Sequence, residues 1–169
     1  MRGSVEVHRY LVERSIPHEF YRLARPLRRI DEASAVVGLD PGIVVAAEVF
    51  ESSRGLVLAL TPASQCASAE ALARAVGVRR VRPLNATRTT AATGYMAEWL
   101  PPVGLERPAA AVIERALLDV DVVYAAGGDP GVMLVMPTVD LVRATAAVPA
   151  ALAEAEEHDA TGEHAPAVG

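Results

Sequence analysis

Residues 43–51 read Ile-Val-Val-Ala-Ala-Glu-Val-Phe-Glu and residues 56–60 read Leu-Val-Leu-Ala-Leu, with Ser52-Ser53-Arg54-Gly55 between them. Two apolar runs joined by so short a turn pair as an antiparallel hairpin, because a parallel pair needs a crossover of a dozen residues or more. A lone hairpin is marginal in water, so its two apolar faces require further strands and helices. The rest of the chain offers these in short pieces. Residues 4–15 read as a helix with Ser4 as N-cap and Val7, Leu11 and Val12 inward, and Pro17 starts an extended segment through Leu23. Asp31 caps a helix carrying Ala33, Val36 and Val37 and stopped by Gly38. Ser68 opens another, with Glu70 in its first turn and Leu72 and Val76 facing the core, and Gly77 ends it.

The pattern continues in the second half. Val78 to Leu84 reads as a strand with Arg80 and Arg82 on a wet face, and Asn85 to Thr93 as a helix ended by Gly94. A Pro/Gly-rich loop spans Tyr95 to Pro108. Strands follow at 110–114, 120–126 and 132–136, the last two joined by Gly127-Gly128-Asp129-Pro130-Gly131. Thr138 caps a final helix running to about Ala147. Hairpins interleaved with short helices predict an α+β domain over residues 1–148, with a mixed, mainly antiparallel sheet flanked by short helices. Residues 149–169 shift to Ala, Glu, His and Gly and read as a frayed helix end and a disordered acidic tail.

The chain has 169 residues, enough for one core. With 7 aromatics against 32 Ala and 23 Val, that core is built from small side chains. No run approaches the length of a membrane span, and the first residues lack the apolar block of a signal peptide, so a cytoplasmic protein is expected. The single Cys66 excludes an internal disulfide and has no His or Arg beside it to activate the thiol. His8, His18, His158 and His164 share no metal-ligand spacing, so neither metal nor cofactor is expected.

All 16 basic residues are Arg, and the last 16 residues hold five acids and no Arg, so the remainder is formally neutral. Seven Arg fall in residues 1–30, and Arg79, Arg80, Arg82 and Arg88 crowd a ten-residue window. Such patches meet phosphates in some proteins and only solvate the surface in others, and charge alone names no partner. Nucleophile-elbow, Walker-type and zinc-helix signatures are absent. The 93–104 loop is long for a compact domain, as loops that line sites are. Trp99 within it reads equally as an anchor or a ligand wall.

Thr93-Gly94-Tyr95, followed by Pro102-Val103-Gly104, is similar to the Thr-Gly-Tyr…Gly-Gly-x-Ser-Pro-x-Gly stretch of the YbaK family. That family comprises free-standing aminoacyl-tRNA deacylases and the editing insertion of bacterial prolyl-tRNA synthetase. Pro17-His18-Glu19, Glu32-Ala33 to Gly38, Val123 to Gly128 with Gly131, and Asp140-Leu141 resemble its other segments in order, so the likeness covers roughly residues 15–147. It implies aminoacyl-tRNA as partner, with an aminoacyl-tRNA synthetase as a second. It also implies a substrate pocket formed by Ala46, Thr93, Gly94, Tyr95, Pro102, Gly104, Gly127 and Gly128.

Two departures fall in that pocket. The family's Lys in the first long strand corresponds to Ala46, and no lysine occurs anywhere in the chain. The first glycine of its Gly-x-x-x-Pro loop corresponds to Glu98. Strand alternation puts Glu48 on the face of Ala46, about 7 Å away. If Glu98 stands opposite, Glu48 and Glu98 are the candidate catalytic pair. They would hold an α-ammonium or activate water, with burial and mutual repulsion raising a pKa. Two solvated glutamates are the alternative. The function expected is a trans-acting deacylase of mischarged tRNA, and the rival is an inactive module that binds tRNA 3′ ends or an amino-acid-like ligand.

Overall fold

The hairpin stands at the middle of the sheet. In the computed structural model, which describes residues 1–25 and 27–153, β2 (Val44–Ser52) and β3 (Gly55–Pro62) pair antiparallel from Val45↔Pro62 to Ser52↔Gly55. Six more strands extend it: β1 (Glu19–Arg22), β4 (Arg82–Pro83), β5 (Ala109–Glu114), β6 (Val122–Ala126), β7 (Val132–Pro137) and β8 (Val148–Ala150). Their order is β1-β7-β6-β2-β3-β5-β8, with β4 on the far end of β2. Four pairings are antiparallel and three, β2·β6, β3·β5 and β5·β8, are parallel. The fold is therefore α+β with a mixed, mainly antiparallel sheet, as expected.

Alternation divides the sheet into unequal faces. Val45, Val49, Leu58, Leu60, Ile113, Val123 and Leu134 point to one face and form the main core with Val7 and Leu11 of α1 (Ser4–Glu13), Ala92 of α4 (Ala86–Thr93) and Leu141 of α5 (Thr138–Thr145). The other face has two separate covers. Phe50, Val57, Ala59 and Val112 pack beneath Leu72 and Ala73 of α3 (Ala69–Val76). Val44, Ala126 and Met133 pack beneath Leu27, Ile30, Ala33 and Trp99, where the chain runs through α2 (Ala33–Val37). Between the two covers lies a stretch of bare sheet.

Several boundaries differ from the sequence reading. Gly3 is the N-cap of α1, while Ser4 is inside the helix and spends its hydroxyl on Asp129; Val12 faces solvent. Asp31 sits in a 3₁₀ turn, Ile30–Glu32, ahead of α2 and does not cap it. The strand expected at 78–84 shortens to β4 because Val78 N–H is held by the Ala73 carbonyl of α3 and only the far end reaches β2. Pro137 is the N-cap of α5, and the Thr138 hydroxyl donates to the Val120 carbonyl.

The packed chain also continues past residue 148, where a frayed helix end was expected. Val148–Ala150 is β8, Leu152 is fully buried, and Ser68 N–H donates to the Leu152 carbonyl at 2.7 Å. The side chain of Glu114 explains this, accepting from the main-chain N–H of Ala116, Leu152 and Ala153. The rest of the expected tail, residues 154–169, lies outside the described residues. No helix among the described residues is long and apolar enough to cross a membrane.

Candidate functional site

The bare stretch of sheet is the floor of a cleft of about 380 Å³. Ala46 and Thr61, a cross-strand pair, form its base. Small residues leave the space: an alanine on β2 takes up little of what a long side chain would fill. One wall is Arg29-Ile30-Asp31, a second is Ala63 to Ala67 leading into α3, and a third is Ala97, Glu98 and Leu100. Glu48 lines the cleft on the face of Ala46, and Glu98 lines it from the loop. The edge of β2 is also open here. Val44 and Val45 pair with β6, Phe50 and Glu51 with β4, and the Val49 carbonyl accepts from Leu84 N–H, leaving residues 46–48 with no strand on that side among the described residues.

The charge of the cleft is negative. Asp31, Glu48 and Glu98 are set against one Arg29, whose guanidinium is 2.9 Å from Asp31 Oδ2. The other oxygen, Asp31 Oδ1, is buried without a hydrogen-bond partner among the described residues. The Glu48 residue is exposed at the cleft, yet the walls around it strip enough water from its carboxyl to push its pKa up from the ordinary glutamate value.

Three of the expected site residues, Ala46, Glu48 and Glu98, therefore meet in one cleft. The other seven do not line it. Thr93 Oγ1 donates to the Thr89 carbonyl at 2.7 Å and accepts from Tyr95 N–H, closing the end of α4, where Gly94 takes φ +86°. Tyr95 is fully buried, and its hydroxyl donates to the Gly104 carbonyl at 2.8 Å. Burial pushes that phenol up to about 12, so it remains a donor. With Glu106 N–H on the Thr93 carbonyl, these bonds cinch the two ends of the loop. Pro102 and Gly104 lie beside a different hollow, with Tyr10 and Ala144. Trp99 is 1% exposed and anchors the loop in the core. The Thr-Gly-Tyr segment is thus a clamp that holds out Ala97, Glu98 and Leu100.

The glycine turn is occupied by the chain itself. A Cβ on Gly128, where φ is +103°, would stand 2.9 Å from the Gly3 carbonyl carbon. Asp129 accepts from Ser4 N–H at 2.8 Å and from Ser4 Oγ at 2.6 Å, while Arg2 N–H donates to the Gly94 carbonyl at 2.8 Å. Residues 2–4 consequently span the two glycine positions and fill the space expected for substrate. No signal in the turn itself reveals this, because the partner lies about 125 residues away in sequence. His8 and His18, which showed no ligand spacing, are likewise brought to 2.8 Å of each other, with His18 Nδ1 donating to the Ile16 carbonyl.

Residues 24–144 match the family model of the aminoacyl-tRNA editing domain. Among solved structures, the chain is similar to a candidate trans-editing enzyme for prolyl tRNA synthetase, with a TM-score of 0.82 and 27% identity over 90% of this chain and 97% of that one. A protein from work on epitope backbone grafting onto scaffolds gives a TM-score of 0.80 and 29% identity over 90% and 97%. A hypothetical protein gives 0.81 and 26% over 88% and 99%.

Proposed function

This chain belongs to the aminoacyl-tRNA editing domain family, and on that premise we propose that it is a trans-acting deacylase that hydrolyses the ester between a mischarged amino acid and the 3′ end of tRNA. The observation that carries the reading is the meeting of Ala46, Glu48 and Glu98 in one cleft on a bare part of the sheet. In this scheme water is the nucleophile. Its oxygen bonds to the ester carbonyl carbon as its proton passes to the Glu48 carboxylate, whose desolvation makes it a stronger base than a solvated glutamate. The tetrahedral adduct then expels the ribose oxygen, which takes the proton back, leaving free amino acid and a tRNA hydroxyl.

Glu98 and Asp31 are assigned to the α-ammonium of the aminoacyl group, which a cleft with three carboxylates and one paired arginine attracts. The main-chain N–H groups of Ala97 and Glu98, the part of the loop that lines the cleft, are assigned to the developing oxyanion. The Gly127-Gly128 turn, which faces residues 3–4, has no part in this scheme.

One observation favours a second reading. Ala46 stands where the YbaK resemblance leads one to expect a lysine, so an inactive module that holds tRNA 3′ ends or an amino-acid-like ligand is the rival. A deacylation screen of the purified protein against a panel of mischarged tRNAs separates the two. Release of amino acid that is lost in Glu48→Gln supports the hydrolase; binding without release in every case supports the module.

A further inference from the structure

The β2–β3 hairpin ends in a concentration of arginine that the cleft does not use. Arg79, Arg80 and Arg82 surround a hollow of about 500 Å³ with Glu51, Ser52 and Ser53. A second hollow of about 300 Å³ shares Glu51 and Ser52 and adds Arg88 and Arg107. Arg54 stands in the hairpin turn, its Nη1 4.0 Å from the position a Cβ on Gly77 would take, which joins it to the end of α3. All six arginines are exposed.

Compensation is sparse. Glu51 accepts two bonds from Arg88, at 2.5 and 3.0 Å, and touches Arg82 at 4.0 Å; the guanidinium of Arg88 holds its carboxyl below the usual range. Glu70 lies on α3 beside Arg79 and Arg80, and Glu106 directly precedes Arg107. Three glutamates leave half of the charge of the six arginines uncompensated. Like charges gathered on an open surface repel one another, and a polyanion relieves that repulsion while releasing its own counterions.

Position matters as much as charge. Glu51 lies three residues from Glu48 on β2, about 10 Å along the strand and, by alternation, on the opposite face, so the arginines stand around the end of the hairpin from the cleft. We propose that this arginine-edged end of the hairpin docks the sugar-phosphate backbone of the RNA whose 3′-terminal ester enters the cleft. The proposal rests on the reading of the cleft as the site for an aminoacyl ester. Arg25, Arg28 and Arg29 are the rival patch. Arg29 is already held by Asp31, and neither Arg25 nor Arg28 lines a hollow described above.

The test compares wild type with the triple variants Arg79→Ala/Arg80→Ala/Arg82→Ala and Arg25→Ala/Arg28→Ala/Arg29→Ala, all checked for unchanged circular dichroism. Binding of uncharged tRNA is measured across a salt series, so that the result does not depend on catalysis. The hairpin variant should bind about tenfold or more weakly at low salt, with the log–log salt slope reduced by about 2 for three lost phosphate contacts to a single strand. Hydrolysis of an aminoacyl-adenosine, which lacks those phosphates, should be unchanged.

Unchanged tRNA affinity in the hairpin variant overturns the dock, as does a loss confined to the Arg25/Arg28/Arg29 variant. Equal weakening toward heparin and tRNA also overturns it, because the surface would then take any polyanion. If wild type hydrolyses no ester while the hairpin variant still loses tRNA affinity, the dock stands and the deacylase reading falls. If mischarged tRNA is hydrolysed equally well by wild type and the hairpin variant, the deacylase stands and the dock falls.

Discussion

In the proposed hydrolase, Glu48 carries opposite demands of stability and chemistry. Its pKa is raised by desolvation, so the native state favours the protonated form, and whatever this side chain adds to stability is present below the unfolded value and lost as pH rises through the folded one. Replacement by the neutral isostere Gln should therefore leave the melting temperature at pH 7 unchanged or slightly higher. Hydrolysis should be abolished, and the wild-type rate should fall as pH drops through a value above that of an ordinary glutamate. Calorimetry with a pH–rate profile from 4 to 8 reads both, and a flat profile insensitive to the substitution would sink the carboxylate mechanism. Gly128 is the contrasting case. A methyl group there meets the Gly3 backbone at 2.9 Å in a left-handed conformation, so Gly128→Ala should cost about 2 kcal/mol in urea unfolding. Of the site, the alternation that joins Ala46 to Glu48 was legible in the sequence. The occupation of Gly94 and Gly128 by residues 2–4 was not, because local motifs carry no record of a distant segment that fills them.

Among the elements, β8 shows what holds an edge. Burial alone would raise the Glu114 carboxyl, but N–H donors from Ala116, Ala153 and Leu152, with Arg115 nearby, outweigh it and hold the pKa below the ordinary value. This stabilisation is present above the unfolded pKa and lost as pH falls through the folded one. Glu114→Ala leaves those donors without their acceptor and should cost about 2–4 kcal/mol at pH 7. The gap between wild type and Glu114→Gln should narrow as urea titrations move from pH 7 to pH 3, and a constant gap would contradict the linkage. Helices α3 and α4 were readable from Ser68 and Gly77 and from Asn85 and Gly94, because caps are local chemistry. β8 was not, since three residues containing Pro149 show no period and their partner is β5, some 36 residues earlier. The alternation of Arg80 and Arg82 reported exposure correctly and pairing too generously.

At the scale of the whole molecule, the strand order carries information about time. The first and last strands, β1 and β8, occupy opposite edges, and β2 with β3 stand inside, joined by a turn of two residues. Closing so small a loop costs little entropy, whereas β1·β7, β2·β6 and β5·β8 must each bridge a long stretch of chain. Assembly should therefore spread outward from the hairpin. Pulse-labelled hydrogen exchange should find the amides of residues 45–60 protected ahead of those of β1 and β8, and simultaneous protection would contradict this order. Ala46, Glu48 and Thr61 belong to that early hairpin, whereas Asp31 and Glu98 arrive on segments settled later against Val44 and Trp99. The nascent protein would thus possess the base of its cleft well before the walls, and would pass through a stage in which a desolvation-dependent carboxylate is still an ordinary, water-bathed glutamate. On the proposed reading, hydrolysis would switch on last, with the closing of the loop.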